Sequence, residues 1–165
     1  MNERFANQAC ITVTESALNT LTFQKLETGI SIGARQAWVV HRLEYFLDSA
    51  SLMNGNDDAL QVGVSQSNSW SSVSPSEASI MDICWVTMIF NGAPANAHLV
   101  WNPVIKDLSG LPGGGLIIVP NPLYAFAKGT GLTGPSTNRV KLYYTQIEVK
   151  EQEFYDLWQS RVMLT

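Results

Sequence analysis

Two histidines, His41 and His98, are the first side chains in this sequence that could carry chemistry. A metal centre on a β scaffold needs three or four ligands converging at once, usually several His with a carboxylate. Two His far apart in the chain do not supply that set. His41 shares a strand face with Val39 and Leu43, which fits a hydrogen-bonded core or rim histidine. Serines are numerous, but none stands in a G-x-S-x-G elbow, and a Ser/His/Asp triad would have to run through one of the two His. The glycine run LPGGG at 111–115 lacks the Lys-Ser/Thr of a phosphate loop and no helix follows it, so it reads as a tight turn. Asp57-Asp58 and the acidic Glu148, Glu151 and Glu153 offer too few oxygens at short spacing for a calcium loop; solvated charge is the expectation. Cys10 and Cys84 each lie in an apolar stretch and read as buried thiols acting as small hydrophobes, with a disulfide between them left open. No constellation assembles an active site. The expectation is a protein that is not an enzyme and that uses no metal and no cofactor.

Aromatic side chains are the stronger candidates. Trp70 lies in a Ser-rich stretch, and Trp101, Tyr124 and Phe126 lie near turns; all four are expected to be exposed. Such rings stack on sugars or anchor subunit contacts; alternatively, a loop Trp folds back on its own domain. Phe154, Leu157, Trp158 and Arg161 fall at i, i+3, i+4 and i+7, the stripe of an amphipathic helix over 151–161. Glu151 and Glu153 lie in its first turn, where the helix dipole favours them. Phe154 and Trp158 would dock on the domain's edge or on a neighbouring subunit.

The elements that must hold these residues are almost all strands. Alternation marks 11–14, 21–24 and 60–65. The stretch 37–48 is long, rich in β-branched and aromatic residues, and mixed in phase, which fits a strand whose ends emerge or bend. Residues 65–79 read as an exposed loop. The run 80–90, apolar on both faces around Cys84-Trp85-Val86, reads as a central strand covered on both sides. Short strands follow at 99–101, 104–105, 116–119 and 123–128, separated by Pro and Gly turns. A long strand over 139–149 changes phase near Gln146, where a bulge is expected. About eight strands at this spacing, with no helices between them, describe a single all-β domain, a sandwich or barrel.

Composition agrees. The chain has 165 residues, 45% of them hydrophobic, enough for one core. Charged residues make up 15%, against about 25% in an average soluble protein. A surface so poor in charge suits a protein covered by partners. The net charge of −4 and the scatter of the ten basic residues argue against direct nucleic-acid binding, which needs a basic stripe or tail. The first residues carry both signs of charge and no apolar core, so no signal peptide is expected.

The long strand at 37–48, the alternating 58–67, the turn and short strand at 112–124 and the long strand at 138–149 come in an order, and with a loop style, that resembles single-jelly-roll capsid proteins of small icosahedral viruses. The resemblance covers most of the chain and rests on no diagnostic motif. It implies a jelly-roll sandwich of two facing four-stranded sheets with one short C-terminal helix. It also implies a structural coat subunit of the virion that self-assembles into an icosahedral shell. Its partners would be copies of itself and possible companions of the shell: a second coat protein, an internal viral membrane, a host glycan. Many such proteins carry a basic N-terminal arm that binds the genome. Here residues 1–36 hold Arg4, Lys25 and Arg35 against Glu3, Glu15 and Glu27, so genome neutralisation would fall to another protein or a membrane. The alternative is a carbohydrate- or receptor-binding β-sandwich module of a virus or phage, with Trp70, Trp101 or Tyr124 as its stacking platform.

Overall fold

The computed structural model describes residues 7–30, 35–52, 57–89 and 103–162. Nine strands and one helix follow in order: β1 (Asn7–Thr14), β2 (Thr22–Lys25), β3 (Gln36–Phe46), β4 (Asp58–Ser65), β5 (Ile80–Met88), β6 (Val104–Asp107), β7 (Leu116–Ile118), β8 (Tyr124–Thr130), β9 (Thr137–Glu148) and α1 (Glu151–Val162). They form two antiparallel sheets. One runs β1-β9-β3-β6, with β7 also on β3, and the other runs β2-β8-β4-β5.

The pairing is nested. β1 pairs with β9, β2 with β8, β3 with β6 and β7, and β4 with β5. The chain is therefore one long antiparallel ribbon doubled back at the β4–β5 connection. Rolling that ribbon brings β9 against β3 and β8 against β4, which closes the two sheets over each other. This is the jelly-roll sandwich. The ninth strand relative to the expected eight arises because β6 and β7 lie end to end beside β3, at Arg42–Tyr45 and Trp38–Val40. The turn around Pro112 and the glycines splits what would otherwise be one strand.

The core lies between the sheets. Ile11, Val13, Val40, Leu43, Tyr45, Val140 and Leu142 from the first sheet meet Leu60, Val62, Val64, Cys84, Ala125 and Ala127 from the second. The mixed phase of β3 has a specific cause. Val40 pairs with Tyr144 and Arg42 with Tyr143, leaving His41 as an extra residue. This bulge switches the inward set from Leu43 and Tyr45 to Val40 and Trp38. The expected bulge near Gln146 is corrected by this finding: the β9 register runs unbroken from Arg139 to Glu148, and the irregularity belongs to its partner.

A second correction concerns β5. Among the described residues it is the edge of its sheet, and its outward Trp85 is 55% exposed. Cys84, Val86 and Met88 face the core, while the apolar Trp85 between them is left uncovered. Periodicity cannot separate that case from a strand buried on both faces. The strand expected at 99–101 lies outside the described residues.

Candidate functional site

Three clusters of side chains stand out, each at a distinct place on the roll. The first covers the outer face of the second sheet. Phe126 points away from the core, yet it is fully buried, which corrects the expectation that its ring is exposed. Gly63 on the neighbouring β4 makes this possible, because a Cβ there would collide with the Phe126 ring and with the Asp82 carbonyl oxygen. Phe23 of β2 lies beside it, ring centroids 6.3 Å apart. The 65–79 loop returns across both, and the Trp70 ring meets Phe23 at 4.7 Å and Phe126 at 4.8 Å, edge to face. The Trp70 indole N–H donates to Ser67 O (3.1 Å) and Ser65 Oγ (3.2 Å). Gln66 pins the loop's start through Nε2 to Val119 O and through its N–H to Ser79 O. Trp70 is thus folded onto its own sheet with its polar handle occupied. Tyr124 extends the cluster, 6.4 Å from Phe23, and is half-buried.

The second cluster closes one end of the roll. Glu15, 3% exposed, follows β1. Its Oε1 accepts from Gly129 N–H (2.7 Å), and its Oε2 accepts from Ser136 N–H and Ser136 Oγ–H, both 2.9 Å. Asn19 receives Leu132 N–H on Oδ1, and Asp48 N–H donates to Asn138 Oδ1. Three connections, β1–β2, β3–β4 and β8–β9, are laced together by these bonds. A buried carboxylate surrounded by donors is a structural tie, since its lone pairs are spent on two backbone N–H groups and a hydroxyl.

The third cluster sits where the edges of the two sheets face each other. Tyr45, buried on β3, donates its O–H to Asp82 Oδ2 of β5. Lys106 of β6 reaches across the seam, its Nζ donating to Asp82 Oδ1 (3.0 Å) and Ile83 O (2.5 Å). The ammonium lies 5.7 Å from the centre of the Tyr45 ring. Burial, and then the Asp82 carboxylate, raise the Tyr45 phenol well above its ordinary range. Burial also raises the Cys84 thiol next to it. Exposed apolar side chains flank this seam: Trp85 on one sheet and Ile105, 51% exposed, on the other. Sequence reasoning passed over Trp85 because an apolar neighbour on either side hid its outward position.

The remaining candidates are scattered. Phe154 is 4% exposed while Tyr155 next to it is half exposed. Helix α1 starts from a tether in which Val149 N–H donates to Arg35 O, with Lys150 N–H donating to Glu153 Oε2. Trp101, His98 and the Trp158 side chain lie outside the described residues. His41 bonds Gly114 O (2.7 Å) through Nδ1 and Thr145 Oγ1 (2.8 Å) through Nε2, so it staples the glycine turn to the bulge. Cys10 is exposed, Cys84 is buried, and both are free thiols. Among the described residues no three His, Cys, Asp or Glu gather to hold a metal ion, and no helix is long and apolar enough to cross a membrane. Trp70 and Tyr124 thus share one cluster through Phe23, whereas the ring contact of Phe154 is with its helix neighbour Tyr155. No protein-family model matches the chain, and no curated protein matches it in sequence.

Proposed function

We propose that this protein is a structural coat subunit that assembles with copies of itself into a closed icosahedral shell and resides in the virion. The observation that carries this reading is the rolled ribbon: β1-β9-β3-β6 facing β2-β8-β4-β5, the arrangement implied by the capsid resemblance. The low charge content supports it, since weakly charged surfaces lose little on being covered. So does the placement of polar and aromatic clusters, which brace loops and edges. Residues 1–36 balance Arg4, Lys25 and Arg35 against Glu3, Glu15 and Glu27, so in this reading that stretch does not neutralise the genome, and a second coat protein or an internal membrane is the proposed companion. Electron microscopy of the expressed chain tests this reading, with closed particles of uniform size as the expected result. A monomer by sedimentation at every concentration and salt tested would overturn it.

A further inference from the structure

We infer that Lys106 and Asp82 form an edge guard that stops β5 from pairing with the β5 of a second copy. Among the described residues, no strand pairs with the outer edge of β5. That strand is nine residues long, IMDICWVTM, with Asp82 as its one charge. A long, apolar, open edge is a template for strand addition.

The direction of its backbone groups follows from its neighbour. A Cβ on Gly63 would sit against the Asp82 carbonyl oxygen, so Asp82 turns its carbonyl toward β4. Successive residues of a strand alternate the side to which they present N–H and C=O. Ile83, Trp85 and Thr87 therefore present theirs to the open edge. The first of these carbonyls is already taken: Ile83 O accepts from Lys106 Nζ. Lys106 is held there by Asp82 and by the Tyr45 ring. An added strand needs the Ile83 carbonyl and would have to displace the ammonium. It would also cover Asp82 and Lys106, whose side chains remain 18% and 33% exposed, and desolvating charge at an edge is unfavourable. Lys106 thus acts in trans, from the edge of one sheet onto the edge of the other.

The test compares the full chain with Lys106→Met and with Lys106→Met/Thr87→Pro. Proline at 87 removes an edge-facing donor and leaves the β4 ladder intact. Sedimentation across a concentration series and hydrogen exchange at the Trp85 and Thr87 amides are the readouts. Lys106→Met is expected to associate at a tenfold lower concentration than the parent chain, with slowed exchange at both amides. Adding Thr87→Pro is expected to reverse the association. If Lys106→Met loses the native far-UV spectrum, Lys106→Gln, whose amide is too short to reach the carbonyl, is held to the same criteria. A folded variant that associates like the parent overturns the inference, and so does association that survives Thr87→Pro. The proline arm isolates strand addition at β5 from every other contact, so this outcome is independent of the coat reading.

Discussion

Replacing Glu15 by Ala removes the acceptor of three hydrogen bonds at once. Two of the donors, Gly129 N–H and Ser136 N–H, are backbone groups of buried residues. The Ser136 hydroxyl can turn elsewhere, and it already accepts from Asn138 Nδ2. Each buried N–H left without an acceptor costs about 1–3 kcal/mol. Relief of the carboxylate's own desolvation offsets part of that, which leaves an expected loss of about 3–4 kcal/mol. For a domain of this size each kcal/mol lowers Tm by about 2–4 °C, so the midpoint should fall by about 6–16 °C. Glu15→Gln keeps one carbonyl oxygen but turns an NH2 toward the other donors, and should lose about 2 kcal/mol. Urea unfolding followed by fluorescence and circular dichroism measures both, with an unchanged slope as the check on two-state behaviour. A Glu15→Ala protein within about 1 kcal/mol of the parent would refute the argument, since it would mean that water or a shifted loop satisfies these amides.

Two further outcomes follow from the seam. Tyr45→Phe deletes the donor to Asp82 and should lose about 1–2 kcal/mol at neutral pH. The phenol is raised in the folded chain, by burial first and then by Asp82, from an ordinary 10.0. The native state therefore holds this proton more tightly than the unfolded one. Its contribution is complete below pH 10 and declines as pH climbs above it. Urea midpoints measured from pH 8 to 11 should fall more steeply for the parent than for Tyr45→Phe, and parallel curves would count against the coupling. The two thiols should also separate. Cys10 is exposed, while Cys84 is buried with its thiol raised by that burial, so a thiol reagent should titrate one group in the native protein and the second on unfolding. Two fast thiols would contradict the packing of β5.

What was legible in the sequence follows the physics of periodicity. Strands with one wet face, such as β1 with buried Ile11 and Val13 alternating with exposed Thr12 and Thr14, declare themselves by alternation. The terminal helix declares itself by its 3.6-residue stripe. The sequence pattern places the bulge on β9 because an extra residue in β3 changes which side chains oppose β9. His41 is the residue responsible, and its polar character was a clue, since it bonds a turn outside the ladder. The edge position of β5 was hidden because the outward Trp85 is as apolar as the inward Cys84 and Val86. Trp70 was legible as a loop residue but not as a lid on Phe126. That contact depends on Gly63, about one strand away in space and seven residues away in sequence, having no side chain. Long-range ties such as Glu15 to Ser136 leave no local trace at all.

The nested pairing has a consequence for how the chain is made. Thr14 pairs with Thr137 and Asn7 with Tyr144, so the first strand has no ladder partner until the ninth has been synthesised. At a ribosomal pace of about 5–20 residues per second, β1 waits for several seconds beside unfinished partners. The earliest pair that translation can close is β4 with β5, at the fold of the ribbon, and order then spreads outward toward both ends. With contacts so distant along the chain, folding is slow relative to helical domains of equal length. The edge of β1 that will meet β9 stands open longest during that interval, when self-recognition is least wanted.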